Sequence, residues 1–305
     1  MNKRLLGLGL ILLIAIGCPM VAAAAPGAKV ALAYRPVLND RRTLNLMVDT
    51  ALAQTVAGYQ VVRRQTTAFQ LECQVIQVDS AGQAIVKVIF QNIRVSLHTP
   101  LETLEFASGQ PSIAPIANVQ NVLALTGRWF TVRLNPKEAL SDGKLDRGIR
   151  NADPFAVNRV MVWNDSIAAF VAGVFNIPRP GPVGIKESWK KNLVLPSEDC
   201  PIPVELSLQL VETIPGLGLV NLFGTVKHSV KNSVNIKSNT KAGIIVDQLS
   251  SLVGTTRGEL AYGLQDGWIE RADLVTSLVG EVRRGDSAIP LQVELKIRLS
   301  AAAPR

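Results

Sequence analysis

The chain has 305 residues, 48 % hydrophobic and 18 % charged, with 32 Lys and Arg against 24 Asp and Glu for a formal charge of +8. That is enough apolar material for a sizeable core, in one large domain or two modest ones. The basic residues are scattered rather than gathered into a stripe with interleaved aromatics, which argues against nucleic acid and leaves solubility, or weak attraction to an anionic membrane surface, as the meaning of the charge.

The first twenty-five residues read as an export signal. Lys3 and Arg4 precede an unbroken apolar run from Leu5 to Ile16, and Val21-Ala22-Ala23-Ala24-Ala25 supplies small residues for cleavage. The run is too short to span a bilayer comfortably, as a secretory signal peptide should be. The expected location is therefore periplasmic or secreted. Cleavage after Ala24 is one ending; the other is a lipobox, Ala15-Ile16-Gly17-Cys18, with Cys18 acylated and retained. Pro19 and an alanine at the third position before the cut weaken that box. Lipid anchoring through Cys18 stays as the alternative.

Beyond residue 26 the pattern is a succession of half-buried strands, apolar and polar residues alternating with period two. Leu44, Leu46 and Val48 begin it, and Phe69, Leu71, Cys73 and Val75 alternate cleanly with Gln70, Glu72 and Gln74. Asp79-Ser80-Ala81-Gly82 is a turn. Val86, Val88 and Phe90 then share a face, and Ile93, Val95 and Leu97 continue it one residue out of phase, the mark of a β-bulge. Later come Val204 to Leu210, then Val226 to Ile236, then Leu260 to Leu264 running into the turn Asp266-Gly267 before Trp268. Leu291, Val293, Leu295, Ile297 and Leu299 close the series.

Two segments depart from alternation. Pro115 to Leu125 reads as a short helix stopped at Gly127. Asp153-Pro154 reads as an N-cap followed by proline at the first helical position, opening a helix to about Phe175. Its apolar stripe contains Trp163, Ile167, Phe170 and Val174. Prolines 178, 180 and 182 end it, so a sub-boundary is expected at 177–183 within a single strand-rich domain over 26–305. Cys73 and Cys200 either form a disulfide in an oxidising compartment or are one buried and one loop thiol; both readings stand.

Convergent chemistry is scarce. His98 and His228 have no nearby partner at metal-ligand spacing, so no metal or cofactor is expected. The Ser-x-x-Lys spacing of serine–lysine nucleophiles occurs at Ser141/Lys144, Ser188/Lys191 and Ser238/Lys241, without the supporting motifs. Asp142-Gly143-Lys144-Leu145-Asp146 has too few oxygen ligands for a calcium loop. Gly216-Leu217-Gly218 is a turn rather than a nucleotide loop. No catalytic residue is assigned and no enzyme is expected.

Several landmarks together resemble a family of uncharacterised bacterial secreted or lipoprotein-like proteins that carry a domain of unknown function. They are Leu32-Ala33-Tyr34, Val75-Ile76-Gln77-Val78-Asp79 with Ala81-Gly82-Gln83-Ala84, the run Leu125 to Val132, and Pro182 to Trp189. Phe106-Ala107-Ser108 departs from the family's Tyr-Asp-Ser, and Leu140 to Lys144 matches its glycine turn loosely. The similarity runs from about Val30 to Leu299 and implies the architecture of LolA-type lipoprotein carriers. The expected class is accordingly α+β, a curved antiparallel β half-barrel wrapped around two helices.

Such a cradle suits a lipid, a lipoprotein or another apolar ligand. The candidate lining is Phe69, Leu71, Val88 and Phe90 on the sheet with Trp163, Ile167, Phe170 and Val174 on the helix. The alternative function is an envelope scaffold that docks other envelope proteins around a filled core. Lys227, Lys231 and Lys237 would form a basic row facing anionic headgroups if their strand stays regular, or an ordinary solvated face that blunts aggregation.

Overall fold

The computed structural model describes residues 29–56, 58–98, 102–109, 117–134, 145–147, 157–178, 181–196, 202–240, 243–284 and 287–302. Its elements in chain order are β1 (Val30–Ala31), β2 (Arg41–Val56), β3 (Tyr59–Val78), β4 (Ala84–His98), β5 (Thr103–Ala107), α1 (Ala117–Leu123), β6 (Trp129–Leu134), β7 (Leu145–Arg147), α2 (Val157–Phe175), β8 (Pro182–Val183), β9 (Ser188–Leu195), β10 (Ile202–Ile214), β11 (Leu217–Thr240), β12 (Gly243–Gly263), β13 (Ile269–Arg284) and β14 (Ser287–Ala301).

This composition overturns the α+β half-barrel expectation. Strands make up 71 % of the described residues, and the protein is a mostly antiparallel β structure rather than a sheet wrapped around two helices. One 12-stranded sheet runs in the order β7-β6-β4-β3-β2-β14-β13-β12-β11-β10-β9, with β5 beside β4. Strands of 15 to 24 residues dominate it. Helix α1 has 7 residues, and α2 packs on β9 and β6, near the two ends of the strand order, so it bridges sheet edges. The strand-rich outcome follows from alternation with period two over most of the chain, which puts one dry face on each strand and leaves the helices a minor share of the core.

The pleat sorts residues cleanly. Leu44, Leu46 and Val48 pair with Leu71, Phe69 and Thr67 across β2 and β3, and all six are buried on one face. The opposite face carries ion pairs: Arg298–Asp49 at 2.9 Å, Lys296–Glu294 at 2.8 Å, and Arg271 with both Glu259 and Asp273. The register of β3 on β4 shifts at Gln70/Leu71, opposite Phe90 and Asn92, which is the bulge expected from the phase slip. The turn at Asp79 also forms, its carboxylate accepting from the N–H groups of Ala81 and Gln83.

Close approach of neighbouring strands depends on inward positions without side chains. A Cβ on Gly258 would lie 2.1 Å from the Asp273 carbonyl oxygen, and one on Gly254 2.0 Å from that of Ser277. Neighbouring strands approach there more closely than any side chain permits. In the N-terminal segment Val30–Ala31 is strand, paired with Pro182–Val183, and Leu32 and Tyr34 are buried outside any strand. They are held because Arg35 donates its N–H to Asp266.

Candidate functional site

At one end of the sheet, where the β3–β4 and β12–β13 turns lie, a polar and aromatic cluster fastens residues 32–42 to β13. Trp268 is buried; its Nε1 donates to Asp40 Oδ2 at 2.9 Å, and Tyr34 meets its ring edge-on at 4.8 Å. Phe175 of α2 approaches the same ring at 5.5 Å. Arg42 pairs with Asp266 at 2.5 Å and Glu270 at 3.6 Å, with its guanidinium 5.8 Å from the indole. A Cβ on Gly267 would sit 2.4 Å from Ala33 O, so only glycine fits under the segment, at a φ of 73°. Burial drives the Tyr34 hydroxyl far above its ordinary value, reinforced by Asp40, and the hydroxyl has no hydrogen-bond partner among the described residues. Tyr262 is likewise raised by burial, and its hydroxyl donates to Val174 O at 3.0 Å.

These groups hold a segment in place. Asp266 also caps its own turn through the Trp268 N–H, and Asp40 is occupied by the indole. Sequence reading missed the cluster because its contacts join residues more than 220 positions apart. The Asp-Gly turn beside a tryptophan was its one local signal.

The sheet side of the expected lining does come together, as a filled core. Leu71, Val88 and Phe90 are 0 % exposed and Phe69 2 %, so no water-sized gap remains against them. Phe69 meets Phe90 with ring centres 5.9 Å apart, and Phe90 meets Phe130 at 5.8 Å. Ile167, Phe170 and Val174 on α2 are equally buried. The side chain of Trp163 lies outside the described residues.

Further along the same inner face the character changes. One register row runs Lys191, Leu206, Gly224, Thr256, Thr276, Leu295, Thr50, Gln65 and Leu97 from β9 round to β4. Thr256 and Thr276 satisfy each other at 2.9 Å. Lys191 faces inward, half-buried, and desolvation lowers its ammonium pKa. Past this row the face stays buried on β12 to β14, at Leu252, Leu278 and Leu291, and opens only on β2 and β3, where Leu52 lies opposite the exposed Arg63, Val61 is 48 % exposed and Tyr59 77 %.

Other expected residues fall as follows. His98 is exposed at the end of β4, its Nδ1 3.1 Å from Thr103 Oγ1; the His228 side chain is outside the described set. Ser188 and Lys191 are on a strand, three residues apart and hence on opposite faces, which separates that nucleophile pair. Cys73 is a free, buried thiol, pushed up by burial and by Glu72; Cys200 and Cys18 lie outside the described residues. Lys227 and Lys237 belong to β11, but the register of that strand is interrupted between Ser229 and Val234, where Lys231 falls. The condition for a regular basic row is therefore not met. Among the described residues no His, Cys, Asp and Glu group is arranged to hold a metal ion, and no helix is long and apolar enough to cross a membrane.

No family model matches this chain, and no curated protein does. Among solved structures, one of lipid–protein interactions in lipovitellin is similar with a TM-score of 0.46 and 9 % identity, over 88 % of this chain. The chain spans about a quarter of that structure's length, 25 %.

Proposed function

We propose that the protein is an exported, non-enzymatic component of the cell envelope that binds an apolar ligand, such as a lipid acyl chain, on the open part of its inner face. The observation carrying this reading is the half-covered apolar surface at the β2–β3 end of the inner face: Leu52 and Val293 are partly buried and Val61 is 48 % exposed, separated from Phe69 on β3 by Thr67, Gln65 and Arg63. Apolar side chains left partly bare gain from covering an acyl chain, at about 0.8 kcal/mol per buried CH₂. Phe69, Leu71, Val88 and Phe90 lie buried further along the same face.

The absence of an assigned catalytic group rests on the same geometry. The carboxylates that converge, Asp40, Asp266 and Glu270, are engaged with Trp268 and Arg42. The second reading, a scaffold without a ligand, is favoured by the filled core alone. Native mass spectrometry of protein purified from a periplasmic extract separates the two. A co-purifying lipid, lost in Leu52→Asp while the fold persists, supports binding; ligand-free protein that also fails to take up a fluorescent fatty acid supports the scaffold.

A further inference from the structure

The tip of the β2–β3 hairpin stands clear of the sheet. Among the described residues, pairing of β14 with β2 ends at Gln54, and pairing of β4 with β3 ends at Arg64. Beyond these points Thr55 pairs with Gln60 and Val56 with Tyr59, strand to strand within the hairpin. From Thr50 to Val62 the sequence holds no charged residue, and Arg63-Arg64 follows at once. Tyr59, Val61 and Val62 are 77, 48 and 36 % exposed, on both faces of the hairpin. On the outer face the apolar band continues in register through Ala53 and Gln292 to Val279 and Val253, the last two 52 and 47 % exposed.

An uncharged, bare hairpin whose far end is collared by two arginines has the polarity of an interfacial anchor. Arg63 lies five residues from the Gly58 turn, or ~17 Å at the strand rise. Apolar side chains at the tip can therefore enter the ~5–10 Å boundary between headgroups and acyl chains while the guanidinium groups stay among phosphates. Tyrosine is suited to that boundary, with an apolar ring and a polar end. We infer that the β2–β3 hairpin docks the protein on the surface of an anionic lipid bilayer, through Tyr59, Val61 and Val62 in the headgroup layer and Arg63 and Arg64 on lipid phosphates. The occupant is a membrane rather than a protein because the tip is apolar and two arginines follow it directly, while the nearest carboxylates, Asp49 and Glu294, are already paired with Arg298 and Lys296. This docking holds whether or not the inner face carries a ligand.

Co-sedimentation of the full mature chain with vesicles of phosphatidylethanolamine and phosphatidylglycerol tests it, with phosphatidylcholine vesicles as the neutral comparison. Wild type binds the anionic vesicles and releases as salt rises. Arg63→Gln with Arg64→Gln weakens binding about 20-fold and flattens the salt response. Tyr59→Asp with Val61→Asp abolishes it, whereas Ile76→Asp, an exposed apolar position near the opposite turn, leaves it unchanged. Equal thermal melts keep folding out of the comparison. Tyr59→Trp adds fluorescence that shifts to the blue with anionic vesicles. No binding by wild type, equal binding by the tip variant, or self-association abolished by the tip variant in the absence of vesicles would each overturn the assignment. Lipid co-purification is a separate measurement, so failure of membrane docking and failure of ligand binding are told apart.

Discussion

The two ends of the sheet are built from the same alternating pattern and end in opposite states. Around Trp268 the inner face meets a covering segment, and each aromatic ring lies against another: Tyr34 on Trp268, Phe175 on Trp268, Phe69 on Phe90. Around Tyr59 the inner face continues in register but the ring is 77 % exposed. Alternation makes a residue face inward; what the inward face touches is set by distant chain. The closed end is covered by ring-to-ring packing and the open end leaves its ring bare.

The largest effect that sharpens this contrast is expected from removing the two aromatic residues in turn. Trp268→Ala should cost ~3–5 kcal/mol, since a filled indole site is emptied and Asp40 loses its donor. Tyr59→Ala should change stability by no more than ~0.5 kcal/mol. Urea denaturation of both variants measures the difference, and comparable losses would dissolve the distinction between the ends.

Glycines give the next contrast. Gly258→Ala forces a methyl against the Asp273 carbonyl and should cost ~1–3 kcal/mol through displaced strands. Gly58→Ala meets nothing within 4 Å and suffers only its left-handed φ of 83°, about 1 kcal/mol. Thermal unfolding of the pair ranks them, and a reversed order would mean that the strands part at Gly258 with little loss.

A third, smaller pair lies within the closed end. Tyr262→Phe removes the shorter of the two hydrogen bonds that the Val174 carbonyl accepts, leaving only the Ile177 N–H at 3.3 Å, and should cost ~1 kcal/mol. Tyr34→Phe removes a buried hydroxyl with no partner among the described residues, and should be neutral or stabilising. A loss for Tyr34→Phe as large as for Tyr262→Phe would show that the Tyr34 hydroxyl is bonded after all.

Much of the strand layout was legible because it is local. Alternation located β3, β10 and β14, the phase slip after Phe90 located the bulge, and Asp266-Gly267 located a hairpin turn. The class was misjudged because two helical segments were weighted as equal partners of the sheet, whereas sequence periodicity counts elements and not the area each buries. Where a strand's inner face is buried and where it is bare was not legible either. Phe69 and Val61 share the same parity on β3, and nothing in the periodicity separates the buried end of a strand from its projecting end. The Thr50–Val62 stretch without charge was the available signal, readable only once the ends of pairing on either side are known.

The finest test concerns pH at the closed end. Glu270 lies beside Arg42 and Asp266, and burial raises its carboxyl above the ordinary 4.5, with Asp266 adding to the rise and Arg42 opposing it. A raised carboxyl binds its proton in the folded chain at a pH where the unfolded chain has already released it. Protonation therefore favours the fold: the cost of the buried charge is present in full above the raised value and fades as pH falls toward 4.5. Glu270→Gln carries no such charge at any pH. The stability of Glu270→Gln relative to wild type should therefore fall as pH drops from neutral through that window, with the other titrating groups common to both proteins. Denaturant unfolding of the two proteins from neutral to mildly acidic pH measures this slope. A slope of the opposite sign would mean that Arg42 outweighs desolvation and that the closed end holds Glu270 as a full ion pair.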